Sequence, residues 1–390
     1  MTQYPKIFLT MDNSFATKRW TEPDEWARII RDLGITWVEA SADTEADPFY
    51  CGEEYLLRWV EKVHAVREKY GVRVANGYTG YSTYRSLGLG HPDPVIRERV
   101  MNGWLKVMAR IMSRLQAGLG FYVHAFSEAV LQDPGRYAAA LETLYAELAE
   151  ISGYAGEVGP IPIVVEQMYT PHQVPWTIEG GFNYIGTVSR RSGFPAYIAL
   201  DTGHFTGQQR FLRPGREAFA QALAGNAPAP YLGPDTAYTA FDSARGGSPS
   251  ARKDAEDRIL REMDRFPHMF SSPEDCSLER WLEELGGYSP LIHLQQTSGK
   301  SSGHLPFTAQ NNETGVVSPR KVLEAIARCY EKEPRPGMPE RCREIYLTFE
   351  IFPHTTDRPR EILPPLAESV RYWRNWIPED GSGLDTLLAR

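Results

Sequence analysis

Residues 161–167, IPIVVEQ, and residues 196–204, AYIALDTGH, each carry an apolar run straight into an acid, and their reading decides the fold. A short run of Ile, Val, Ala and Leu bounded by Pro or Gly is a strand signal, and an amphipathic stretch after it is a helix signal. Strand and helix in alternation build a parallel sheet. SPLIHLQQTS (289–298) and REIYLTFEIF (343–352) continue the alternation, and they carry His293 and Glu350 toward the same end of the run.

The unit recurs toward the N-terminus. KIFLTMD (6–12) precedes a helix with Trp26, Ile29, Ile30 and Leu33 at the spacing of one buried face, for which Thr21 and Asp24 are the expected cap. ITWVEAS (35–41) is followed by a stripe of Leu56, Trp59, Val60 and Val63. VRVANGY (72–78) leads through a polar loop to a helix opened by HPDP (91–94), where Asp93 suits the N-cap and Pro94 the first turn. GFYVHAF (120–126) precedes Leu141, Leu144, Tyr145 and Leu148 on one helical face. With helices expected around 322–330 and 362–373, the chain contains eight strand–helix units. Right-handed crossovers close such a series into a (β/α)8 barrel, a TIM barrel, spanning residues 1–390. Roughly residues 205 to 272, after the sixth strand, are too long for a simple connection. Their stretch 225–254 is rich in Gly, Pro, Ala and Ser, so an insertion or lid is expected there, not a second core. No GxGxxG follows the first strand, which removes the dinucleotide-binding open sheet.

Composition narrows the function. The 390 residues are 42% hydrophobic and 24% charged, enough to build a substantial core. A net charge of −8 argues against a nucleic-acid surface, which needs clustered Lys and Arg. Cys51, Cys276, Cys329 and Cys342 lack CxxC spacing and read as reduced thiols. No leader-like start and no stretch of about 18 apolar residues stands out, so a cytoplasmic protein without a membrane span is expected.

Glu166, Asp201, His293 and Glu350 fall near the carboxyl ends of four consecutive strands, the end at which barrel enzymes place their chemistry. An isolated buried carboxylate is strongly disfavoured, and four ligands converging on one ion would resolve that cost. Three carboxylates and one imidazole form an oxygen-rich set that suits Mn²⁺ best, with Mg²⁺ or Co²⁺ as alternatives. Taken singly, each acid could cap a helix or pair with an Arg. Glu39, at the end of the second strand, reads as structural. Lys300 in TSGKSSGH (297–304) could clamp an anionic oxygen, but Leu294 stands where a nucleotide P-loop needs its first glycine. His91, His124 and Gln295 are further substrate-binding candidates at loop mouths, with Gln167 and His304 beside them and Tyr78, Tyr81 and Trp176 as walls.

These residues resemble those of the xylose-isomerase-like barrels, a superfamily that includes ketose 3-epimerases, hydroxypyruvate isomerase, inosose dehydratase and the endonuclease IV branch. The resemblance covers most of the chain. It rests on the Glu of IPIVVEQ, the DTGH at 201–204, the His of LIHLQ and the late Glu of YLTFE, and HPDPVIRERV (91–100) looks like the family's entry into the third helix. It implies that Glu166, Asp201, His293 and Glu350 bind the metal while His204 contacts substrate. The chain departs from the endonuclease IV branch, which resembles a trinuclear site with additional histidines. ANGYTGY (75–81) supplies Asn76 and Tyr78 where a histidine would be wanted, although His124 is expected on the fourth strand.

The expected function is therefore a divalent-metal-dependent isomerase or epimerase of a small ketose or sugar derivative, working through a metal-stabilised enediolate. Glu166 and Glu350 would move the protons. The same electron sink serves a decarboxylase or dehydratase of a keto sugar acid, so a lyase is the alternative. The expected partner is a small sugar or sugar acid, with neither nucleic acid nor membrane, and a homo-oligomer is compatible with the sequence.

Overall fold

A computed structural model describes residues 3–79 and 86–389. Tyr81 lies outside the described residues. Eight strands, β1 (Lys6–Asp12), β2 (Trp37–Ser41), β3 (Arg73–Tyr78), β4 (Gly118–Phe121), β5 (Ile163–Glu166), β6 (Ala196–Asp201), β7 (Leu291–Leu294) and β8 (Glu344–Phe349), pair in parallel with their neighbours in chain order. β1 pairs with both β2 and β8, which closes the sheet into a (β/α)8 barrel. A short β9 (Ser382–Gly383), not anticipated from the sequence, runs antiparallel to the start of β1.

Side chains alternate across each strand, and that alternation places the site. Ile7, Leu9 and Met11 of β1 and Ile345, Leu347 and Phe349 of β8 join Trp26, Ile30, Trp59 and Trp373 in the core between sheet and helices. The intervening residues fill the barrel. Phe8, Trp37 and Tyr346 pack together near its amino end, with Phe8 and Tyr346 stacked at 5.0 Å. Val164, Ala199 and Leu291 form the next layer. Two residues further along the same rows stand Glu166, Asp201 and His293.

The caps follow local chemistry. Asp93 accepts a hydrogen bond from Val95 N at 2.9 Å and opens Pro94–Val100, as expected. The first helix is Pro23–Asp32, and its cap is Glu22 in a reciprocal box with Glu25, not Thr21 with Asp24. Pro23 sets the first helical φ, so the boundary falls one residue later than Thr21 would put it. β4 also differs from expectation. Its ladder ends at Phe121, so His124 stands in the loop beyond the strand. Between β6 and β7 the chain forms helices Phe205–Gln208, Arg216–Leu223, Asp235–Ala244 and Pro249–Arg265 before Leu278–Leu285 returns to the barrel wall. Among the described residues, no helix is long and apolar enough to cross a membrane.

Candidate metal centre and active site

At the carboxyl end of the barrel, β5, β6, β7 and the residue after β8 bring Glu166, Asp201, His293 and Glu350 together. One ligand atom from each lies within 4.8 Å of all the others, and all four residues are buried. His293 Nδ1 is 3.1 Å from Glu166 Oε1 and 3.5 Å from Glu350 Oε2. Adjacent ligands about 2.1 Å from a shared octahedral ion stand ~3 Å apart, so this spacing suits a common cation. Glu350 Oε2 supports the fit. It is buried without a hydrogen bond among the described residues, with His293 Nδ1 at 3.5 Å and His304 Nδ1 at 3.3 Å. Three carboxylates packed so closely need a compensating positive charge. The group could hold one metal ion.

Each acid is individually oriented. Asp201 Oδ1 accepts from the backbone N–H groups of Gly203 (2.6 Å) and His204 (2.9 Å), the turn formed by DTGH. Gln295 Nε2 reaches Asp201 Oδ1 at 2.8 Å and Oδ2 at 3.0 Å. Tyr78 donates its phenolic proton to Glu166 Oε2. His304 Nδ1 lies 3.3 Å from Glu350 Oε2. A left-handed backbone, φ +46°, carries the His304 ring to that place, where it stacks on Phe352 at 4.3 Å.

With the protein's own charges alone, burial works to raise Glu166, but the His293 hydrogen bond and the His204 and His293 charges outweigh it and hold the carboxyl below its usual range. Asp201 is lowered in the same way, burial being overcome first by His204 and then by His304 and His293. His293 is pushed well above an ordinary imidazole: burial opposes its charge, and Glu350 and Glu39 prevail. His304 rises to about 9 against burial, chiefly through Glu350. The cluster thus favours positive charge at its centre.

The remaining sequence candidates are placed as follows. His204 is buried, with Nδ1 at 2.7 Å from the Gln167 carbonyl and 3.9 Å from Glu166 Oε1. Gln295 is buried, and its amide is engaged by Asp201, Ser302 and the His304 N–H. Lys300 is exposed on the loop after β7 and makes no ion pair among the described residues. His91 accepts from Asp93 N at 3.1 Å at the helix entrance. His124 packs against Tyr122 and lines a small cavity with Phe49, Leu87 and Trp104. Trp176 lies with Phe211 at the β6 excursion.

Two further acids adjoin the centre: Glu39, which the sequence suggests only as structural, and Asp12, which the sequence does not single out. Glu39 is fully buried and touches the far side of His293, Oε2 to Nε2 at 3.1 Å. Asp12, buried at the end of β1, accepts from Ser14 N at 2.8 Å, and burial together with Glu39 and Glu350 pushes its carboxyl well above the usual range. Asp12 closes its strand as Glu166 does, whereas Glu39 stands in the middle of β2, which runs on to Ser41.

The family model described as xylose isomerase-like TIM barrel matches residues 27–242. The chain belongs to this family. D-Erythrulose 1-phosphate 3-epimerase of Brucella abortus (strain 2308) is 22% identical over 378 residues, 94% of this chain and 95% of that protein. A solved Rhodospirillum rubrum protein, provisionally described as a xylose isomerase, aligns with a TM-score of 0.68 at 18% identity, over 95% of this chain and 99% of its own. D-Allulose 3-epimerase from Methylomonas sp., solved with D-allulose, gives 0.50 at 13% identity over 99% and 96%. At such identities the structural likeness shows the xylose isomerase-like barrel alone. These relatives are described as epimerases or isomerases and lend nothing to the lyase alternative.

Proposed function

We propose that the protein is a divalent-metal-dependent epimerase or isomerase of a small ketose or ketose phosphate. The observation that carries this reading is the convergence of Glu166, Asp201, His293 and Glu350 within 4.8 Å. Asp201 and His293 would hold the ion, and Glu166 and Glu350 would both hold it and face the substrate. When bound, the ion, Mn²⁺ by preference for this donor set, supplies the positive charge that polarises an α-hydroxycarbonyl.

The chain's own groups account for the proton movements. Glu166, oriented by Tyr78, takes the proton from the carbon beside the carbonyl, and the Tyr78 hydrogen bond stops the carboxyl from rotating away. Glu350, flanked by His304, returns a proton. Delivery to the opposite face inverts the carbon and gives a C3 epimer, which agrees with the named activity of the Brucella relative. His204 and Lys300 would contact substrate oxygens, Lys300 reaching an anionic end, while His124 and His91 lie further out on the loops. Residues 205–272 are read as an excursion of the same barrel domain.

The test is turnover of a panel of ketoses and ketose phosphates in D₂O by metal-stripped and Mn²⁺-reloaded protein, followed by NMR. Deuterium at the carbon beside the carbonyl, with an epimer as product and only after reloading, is the expected result. Turnover indifferent to metal, or loss of CO₂ or water, would overturn it.

A further inference from the structure

Glu39 lies outside the four-residue cluster, yet both of its oxygens are engaged. Oε2 meets His293 Nε2 at 3.1 Å, and Oε1 accepts from Asn76 Nδ2 at 2.9 Å. The opposite edge of the same imidazole, Nδ1, faces Glu166 and Glu350. A neutral imidazole carries its proton on one nitrogen and a lone pair on the other, and the hydrogen bond at one nitrogen decides which. A carboxylate can only accept, so Glu39 requires the proton on Nε2.

The backbone builds this contact deliberately. β2 and β3 run in register through Trp37 with Arg73 and Val38 with Val74, and then the register shifts so that Glu39 lies opposite Asn76. The extra residue of β3 changes which side chains point inward. Val74 packs in the outer core, a Cβ on Gly77 would strike Met112 of the helix Lys106–Leu115, and Asn76 and Tyr78 enter the barrel. Across the next strand pair, β4 leaves room for the Asn76 amide. A Cβ on Gly118 would lie 2.6 Å from Asn76 Oδ1, and one on Gly120 would lie 2.7 Å from Nδ2. Gly118 and Gly120 therefore permit Asn76 to sit where it can hold Glu39.

We propose that Glu39, held by Asn76, is a positioning residue that fixes His293 with its proton on Nε2 and its Nδ1 lone pair turned toward the centre. The inference rests on the metal reading of that centre. Removing such a partner of a ligating histidine typically weakens metal binding about 10- to 100-fold. Glu39→Met lacks an acceptor and is expected to show that loss in Mn²⁺ titrations of the stripped protein. Glu39→Gln keeps one oxygen, which Asn76 can accommodate by turning its amide, so partial rescue is expected. In Zn²⁺-loaded protein with ¹⁵N-labelled histidine, wild type should show His293 protonated at Nε2, with that proton far downfield and slow to exchange. In Glu39→Gln the proton should move upfield.

A circular dichroism melt reports whether each variant is folded. Should Glu39→Met not fold, Glu39→Gln and Asn76→Ala carry the test, with a several-fold loss expected for each. Wild-type Mn²⁺ affinity in the folded variants, together with an unchanged Nε2 proton, would overturn the role of Glu39 and leave the metal reading standing. A wild-type protein that takes up no ion would overturn both.

Discussion

The amide of Gln295 grips both carboxylate oxygens of Asp201, at 2.8 and 3.0 Å, while its own oxygen takes the N–H of His304 at 2.7 Å. One side chain, just past the end of β7, thus ties the acid on β6 to the loop that delivers His304 to Glu350. Gln295→Leu removes both ties at nearly constant volume. A loss of about 10- to 100-fold in metal affinity is expected, by the rule for partners of ligating side chains. Calorimetric titration with Mn²⁺ checks it, and unchanged affinity would show that Asp201 is oriented by the DTGH backbone alone.

Glu166→Gln and Glu350→Gln preserve shape while removing the base. Each should lower deuterium exchange into a turned-over ketose by about 10²- to 10⁴-fold, the usual contribution of a positioned proton-transfer group. The two need not fall equally in epimer formation. NMR time courses in D₂O distinguish a variant that still washes out the proton from one that removes none.

Tyr78→Phe deletes the phenolic donor to Glu166 and leaves the ring that packs edge-on against His293 at 5.1 Å. Loss of a hydrogen bond to a charged group costs about 1.5–3 kcal/mol. If that bond serves the reacting geometry, kcat should fall about 10-fold or more with KM little changed. A purely structural bond would instead lower the melting temperature and spare kcat.

Away from the centre, Glu45 is a buried carboxyl raised to about 8, by burial first, with the neighbouring indoles of Trp59 and Trp26 opposing. Its Oε1 accepts from Trp26 Nε1, and its Oε2 is buried without a hydrogen bond among the described residues. The folded protein holds this proton and the unfolded chain releases it near 4.5, so this stabilising contribution is fully present below about 4.5. It is lost as pH rises toward 8, on the order of a few kcal/mol across that window. Glu45→Gln keeps the acceptor for Trp26 and removes the titration. Its melting temperature should fall less than wild type's between pH 5 and 8, and parallel curves would contradict the assignment.

The barrel and its four central residues were legible because one local rule sufficed. An apolar run closing on an acid or His marks both a buried strand and the end at which barrel sites form. Asp12 obeys that rule too, whereas Glu39 stands mid-strand in β2, and which neighbours the two meet depends on register. Asn76 comes opposite Glu39 only because the β2–β3 pairing shifts between Val38 and Glu39, and no residue type announces that shift. Gly118 and Gly120 look like weak strand residues in isolation, and their reason appears only when Asn76 lies across from them. GFYVHAF stays apolar past Phe121, where the pairing stops, so its strand signal runs on to His124 while the ladder does not. Hydrophobicity continues there to fill the space under the loops, not to extend the ladder.

Metal stoichiometry tests the central claim most directly. Protein loaded with Mn²⁺, desalted and measured by plasma mass spectrometry should carry one ion per chain. The Asp201→Asn, Glu350→Gln double variant, folded by circular dichroism, should carry almost none. A wild-type chain without metal, or a double variant that retains a full equivalent, would contradict a metal centre built from Glu166, Asp201, His293 and Glu350.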